Sequence, residues 1–148
     1  MVHAMLFTFT KVVAELLPTP AKCHYIFNLR DLSKVFQGVL MGEPKLMTRP
    51  EELARLWVHE SVRVFEDRMV DEHDHHWFQE LMAANIDEFF KLNWADVVPR
   101  ERLLYGDFMV PGADPRVYAE VPDMVELKHR MEDFWLSTMP SPSSLCRS

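Results

Sequence analysis

The stretch Asn28-Leu29-Arg30-Asp31-Leu32-Ser33-Lys34-Val35-Phe36-Gln37-Gly38-Val39-Leu40, standing after Pro18-Thr19-Pro20, decides the fold. A side-chain oxygen on Asn28 can accept from an amide of the next turn, and Asp31 brings a carboxylate to the positive helix end, a variant of the capping box. The spacing predicts a helix from Leu29 to Met41 that turns Leu32, Val35, Phe36, Val39 and Leu40 inward. Gly42 and Pro44 should end it, the glycine in a left-handed cap. Prolines lack an amide donor and bias their predecessors away from helix, so Pro18-Thr19-Pro20 reads as an extended, semi-rigid link.

The same periodicity runs outward. Met5, Leu6, Phe9, Val12, Val13, Leu16 and Leu17 step by three and four, predicting an earlier helix with that face buried. Thr48 with Glu51, and Pro50 in the first turn, predict a third helix to about Val70 with Leu53, Leu56, Trp57, Val64 and Phe65 inward. Arg55, His59, Glu60, Arg63 and Glu66 fall mostly off that stripe. A fourth helix should start near Asp71 or Asp74 and continue past Phe90, burying Trp77, Phe78, Leu81, Met82, Ile86, Phe89 and Phe90. Beyond Asn93 the prolines multiply, and Trp94 to Pro122 reads as an irregular connector with room for one short strand. Met124 to Leu136 fits a last helix, and the Pro/Ser-rich segment 137–148 is expected to be a disordered tail. The fold class is mainly α, a small helical bundle, divided as 1–17, 18–92, 93–136 and 137–148.

A chain of 148 residues with 48% hydrophobic and 26% charged content can bury one core, so one domain is the default. The formal charge of -7 is dispersed rather than gathered in a tail, which argues against nucleic acid or an anionic membrane as partner. Cys23 and Cys146 form no CxxC, so a reducing intracellular compartment is the simpler reading. The N-terminus lacks a basic n-region and a small-residue cleavage site, so neither signal peptide nor membrane span is expected.

Several motifs invite chemistry and are set aside. Asp71-Glu72-His73-Asp74-His75-His76 holds metal-ligand types, but only Glu72 and His76 share a helix face, and no second group at recognisable spacing supports them; no physiological metal site is expected. His59-Glu60 begins like HExxH, yet Arg63 stands where the second histidine is needed, so protease activity is rejected in favour of structural packing. Ser33 and Ser61 have no nucleophile elbow or triad order around them, and no catalytic residue is assigned. No GxxxxGK[ST] phosphate loop and no acidic Walker B strand occurs, so this chain alone lacks the parts to hold ATP and magnesium.

Pro18-Thr19-Pro20-Ala21-Lys22, Phe27-Asn28-Leu29-Arg30-Asp31-Leu32-Ser33, Leu56-Trp57-Val58-His59-Glu60 and Arg63-Val64-Phe65-Glu66-Asp67-Arg68 together closely resemble the lid of the third AAA+ module of dynein heavy chains, the axonemal ones especially. Tyr105-Gly106-Asp107-Phe108 and Tyr118-Ala119-Glu120 fit the family's lead into the fourth module, and the likeness covers Glu15 to Glu120. It implies an AAA+ lid-like bundle with Arg30 at the sensor 2 position, where an arginine near the start of a lid helix approaches the terminal phosphates of a nucleotide held by the large domain. Without the family, Arg30 beside Asp31 reads as a surface or capping ion pair.

The resemblance further implies a fragment of an ATP-driven, minus-end-directed microtubule motor of cilia and flagella. Neighbouring AAA+ domains of the ring are then partners, microtubules are contacted only through the parent motor, and the location is cytoplasm, cytoskeleton and axoneme. ATP or ADP belongs to the intact ring, with no cofactor and no activity expected of this chain alone. The likeness departs at both ends, from Met1 and from about Phe134, hence the expectation of a fragment. The alternative is a free-standing helical protein-interaction module that uses the flank a severed lid exposes.

Overall fold

A computed structural model describes residues 1–99, 103–110 and 114–138. The described chain is mainly helical: α1 (Val2–Glu15), α2 (Leu29–Met41), α3 (Pro50–Val64), α4 (Glu72–Asn85), a short α5 (Trp94–Val97) and α6 (Met124–Thr138). One-turn 3-10 segments at Pro44–Leu46 and Glu66–Arg68 flank α3, and a π turn at Ile86–Phe90 follows α4. No described helix is long and apolar enough to cross a membrane.

α2 occupies the span its pattern predicts, and its cap forms as read. Asn28 is extended (φ -141°, ψ 174°) and its side chain accepts from the Arg30 amide at 2.8 Å, while Asp31 accepts from the Asn28 amide at 3.1 Å. Such a cap stabilises a helix by about 1 kcal/mol. The buried face is Asp31, Leu32, Val35, Gly38 and Val39; Phe36 is half-buried, and Leu40, expected inward, is 81% exposed. Gly42 also departs from expectation, with φ -64° and ψ 139° rather than a left-handed cap. Its value is steric: a Cβ there would collide with Met47 and Leu56, and the bare backbone pairs with Tyr118 in an isolated parallel bridge.

The α3 capping box sits one residue later than Thr48 and Glu51 suggested. Glu52 accepts from the Arg49 amide (3.1 Å), the Arg49 guanidinium (3.0 Å) and the Thr48 amide (2.9 Å), and these bonds, led by those from Arg49, hold its carboxyl below the usual carboxylate range. The helix stops at Val64 rather than near Val70, because Glu66–Arg68 tightens into a 3-10 turn. Leu56 and Trp57 are fully buried and, with Phe65, Phe78, Met82 and Ile86, form the centre of the core. The α-helical geometry of α4 gives out at Asn85, and the wider π turn carries Phe89 and Phe90 on to Lys91, which caps it in the left-handed region at φ 58°. Phe90 thereby stacks on Trp57 with centroids 5.4 Å apart, and Phe89 meets Phe7 at 5.9 Å.

α1 starts at Val2 and buries a narrower stripe than its sequence offers: Ala4, Met5, Thr8 and Val12, followed by Leu16. Thr8 donates to the Ala4 carbonyl (2.9 Å) and accepts from Asn85 Nδ2 (2.8 Å), and this pairing selects the face turned to α4. Leu6, Val13 and Leu17, expected inside, are 46%, 38% and 60% exposed.

The connector is more ordered than an irregular segment. β1 (Tyr105–Gly106) and β2 (Ala119–Glu120) pair antiparallel, Tyr105 opposite Glu120 and Gly106 opposite Ala119, so the described residues hold two short strands and not one. α6 carries Met124, Val125, Met131, Phe134, Trp135 and Leu136 exposed. Ser137 and Thr138 complete that helix, and the remainder of the tail, 139–148, lies outside the described residues.

Candidate functional site

At the start of α2 an exposed cation stands beside a fully engaged anion. Arg30 is exposed, and its guanidinium makes no hydrogen bond or ion pair among the described residues. Asp31 is 5% exposed; beyond its cap bond it faces Arg68 Nη1 at 3.2 Å and Lys34 Nζ at 3.5 Å. The surface ion pair between Arg30 and Asp31 is therefore absent: the carboxylate already has three partners, and the arginine points elsewhere. Arg30 lines neither the 640 Å³ cleft beside His59 and Glu66 nor the 390 Å³ groove between α2 and α3. Among the described residues no carboxylate pairs with this guanidinium.

The approach to α2 is held by side chains rather than by proline stiffness alone. Thr19 closes a turn by accepting the Lys22 amide on its carbonyl at 2.9 Å. Lys22 bridges Asp71 and Asp74, each at 2.5 Å, and these two carboxylates push its pKa up. Buried Tyr25 donates to Asp74 at 2.8 Å and accepts the Val70 amide at 3.0 Å. Burial pushes the Asp74 carboxyl up, but hydrogen bonds from Lys22, Tyr25 and His73 outweigh it, and the net shift is downward. Arg68 donates to the carbonyls of His24 (2.9 Å) and Ile26 (3.1 Å) and lies 4.7 Å from the centre of the Phe27 ring.

A second polar system corrects the reading of α3. Arg55, His59, Glu60 and Glu66, placed off the buried stripe by their polarity, are half-buried or buried; only Arg63 of that set is exposed. Together the first three hold the connector. Arg55 pairs with Glu120 at 2.9 Å and donates to the carbonyls of Val97 (2.9 Å) and Asp96 (3.3 Å). His59 Nδ1 donates to the Leu103 carbonyl at 2.9 Å, and its ring packs 5.1 Å from that of Tyr105. A carbonyl can only accept, so Nδ1 carries the proton and Nε2 is left to titrate. Burial pushes the pKa of His59 down. Tyr118 donates to Glu60 at 2.6 Å, and the Glu60 carboxylate lies over the backbone of Gly38, where a Cβ would overlap it. Burial raises the phenol pKa of both Tyr105 and Tyr118. The sequence signal is present, since His59-Glu60 reads as packing, but its partners lie in the connector, beyond the reach of local periodicity.

The histidine cluster does not converge. His73 and His76 are exposed and lie 3.5 Å from Asp74 and 3.4 Å from Glu80, while His75 turns to Glu66 at 3.4 Å. Among the described residues no group of three or more His, Cys, Asp or Glu could hold a metal ion. Ser33 Oγ donates to the Leu29 carbonyl at 2.9 Å, and the Ser61 hydroxyl is buried, so among the described residues neither bonds to a base.

Residues 1–98 match the AAA+ lid domain family. The chain is 47% identical over 138 residues to mouse dynein axonemal heavy chain 1, 42% over 134 residues to its human counterpart and 41% over 131 residues to mouse dynein axonemal heavy chain 2. These matches cover 90%, 90% and 88% of this chain but only 3% of each relative's length. The helical bundle, the match over residues 1–98 and the identities across almost the whole chain agree: it belongs to the AAA+ lid domain family, in the form carried by axonemal dynein heavy chains.

Proposed function

We propose that the chain acts as the nucleotide-sensing lid of the third AAA+ module of an axonemal dynein heavy chain, with Arg30 as its sensor. The observation that carries this reading is the asymmetry at the start of α2: Asp31 is buried and fully paired, whereas Arg30 is exposed and unpaired among the described residues. An exposed guanidinium suits a phosphate, which it can engage by two parallel bonds. The phosphate is ATP or ADP held by the neighbouring large domain, and loss of its terminal group becomes rotation of the lid.

In the same reading 18–92 is the lid proper, 1–17 the helix before it and 93–136 the connector with its terminal helix. Neighbouring AAA+ domains are the partners, and the exposed apolar flank of α1, from Val2 through Leu6 and Val13 to Leu17, supports such docking. The parent is an ATP-driven, minus-end-directed motor of the axoneme, in cilia and flagella, that contacts microtubules through its other parts.

Calorimetric titration of ATP into the 148-residue chain tests the dependence on a second domain. No saturable high-affinity binding is expected; submicromolar binding with hydrolysis would overturn the assignment.

A further inference from the structure

Arg68 lies at the opposite end of α3 from its capping box, in the 3-10 turn, yet most of its contacts are with the segment that leads into α2. One guanidinium nitrogen takes the carbonyls of His24 and Ile26, the other faces Asp31, and the plane covers Phe27. The contact is returned: His24 Nε2 donates to the Arg68 carbonyl at 3.0 Å. Phe27 is itself buried and packs 5.9 Å from Phe65, the residue that ends α3. Arg68 thus fixes both sides of Asn28, the chain before it and the carboxylate that bonds its amide. Arginine suits this place because a planar fork of five donors can serve two carbonyls and a carboxylate at once, which an ammonium cannot do in one geometry.

We infer that Arg68 is the positioning residue for Arg30: it locks the backbone from His24 to Asp31 and thereby the direction in which the Arg30 side chain leaves α2. The functional meaning rests on the reading of Arg30 as a phosphate sensor, but the positioning itself does not. A coupling follows, since movement of the Glu66–Arg68 turn is delivered by the Arg68 side chain to the backbone on both sides of Asn28 and so to Arg30. Lys22 and Tyr25 tie the same approach segment to Asp71 and Asp74 further back, so Arg68 governs the last stretch before the cap.

The test is residue-resolved amide hydrogen exchange on the full chain, comparing wild type with Arg68→Ala and Arg68→Lys. In Arg68→Ala the amides of Ile26, Asn28, Arg30 and Asp31 should exchange roughly tenfold faster, while those of Phe78 to Met82 in α4 change less than about twofold. Arg68→Lys keeps the charge near Asp31 but loses the fork, so Ile26 should loosen while Asp31 stays close to wild type. Unchanged exchange at Asn28 to Asp31 in Arg68→Ala would overturn the inference, and so would a uniform rise across α4, which is the signature of a merely structural role. If the alanine variant fails to fold, the lysine variant decides: Ile26 loosening alone supports the inference, and no loosening at Ile26 overturns it. Because no nucleotide is present, the inference about Arg68 can fail while that about Arg30 stands. Conversely, a loosened cap together with unaltered ATP response in a heavy chain bearing Arg68→Ala would refute the sensor reading and leave the positioning intact.

Discussion

The phenol of Tyr118 donates a 2.6 Å hydrogen bond to the carboxylate of Glu60, 58 positions apart in sequence, and both side chains are buried. The exposed Arg63 is the only other charged partner close to that carboxylate among the described residues apart from His59, at 3.7 Å against 3.9 Å. Tyr118→Phe should therefore destabilise the chain by about 1.5–3 kcal/mol, the cost of a buried charged acceptor that loses its donor. In a Glu60→Gln background the same change should cost only about 1 kcal/mol, a difference that a urea-denaturation double-mutant cycle resolves. Equal costs in both backgrounds would contradict the bond's importance.

Gly38→Ala reverses an ordinary rule. In an exposed helix interior that substitution gains about 0.5–1 kcal/mol. Here the added methyl would overlap the Glu60 carboxylate, so a loss of about 1–3 kcal/mol is expected, typical of overpacking. Combined with Glu60→Ala the methyl should become neutral or stabilising, again by urea denaturation. A stabilising Gly38→Ala in the wild-type background would show that the carboxylate has room to move.

Acid should weaken the attachment of the connector. His59 has a folded pKa below its ordinary 6.5 because burial disfavours the imidazolium, so between those two values the unfolded chain binds more protons. Stability is thus fully present above pH 6.5 and is lost as pH falls from there through the folded value. Urea midpoints measured from pH 7.5 down to about 5 should drop in wild type and drop less in His59→Gln, which can still donate to the Leu103 carbonyl. Equal slopes would remove His59 as the titrating group.

The two residues at the start of α2 should separate stability from function. Asn28→Ala removes the cap and should cost about 1 kcal/mol in thermal or chemical unfolding. Arg30→Ala removes a side chain with no partner among the described residues and should shift stability by less than about 0.5 kcal/mol. A larger loss for Arg30→Ala would give that arginine a structural role instead.

Helix α2, its cap and the central core residues Leu56, Trp57, Phe78, Met82 and Ile86 were legible because their signals are local: cap residues, and apolar positions three or four apart. The α1 face was not, because apolar residues lie on two sides of that helix and only the contact of Thr8 with Asn85 chooses between them. Arg55, His59 and Glu60 were misplaced for a related reason. Polarity marks a residue as external unless its partner is known, and their partners Glu120, Leu103 and Tyr118 come from the far end of the chain. Arg30 was legible as a candidate; that Arg68 rather than Arg30 serves Asp31 was not, since sequence adjacency favours the wrong arginine.

The central claim is that the Arg30 guanidinium is reserved for a phosphate supplied by another domain. The direct measurement is the ratio of ATP to ADP affinity at the adjoining module of a heavy chain carrying this segment, with Arg30→Ala against wild type. A fall in that ratio of roughly tenfold, with the fold intact, is expected for the loss of one charge-assisted phosphate contact. An unchanged ratio would contradict the account.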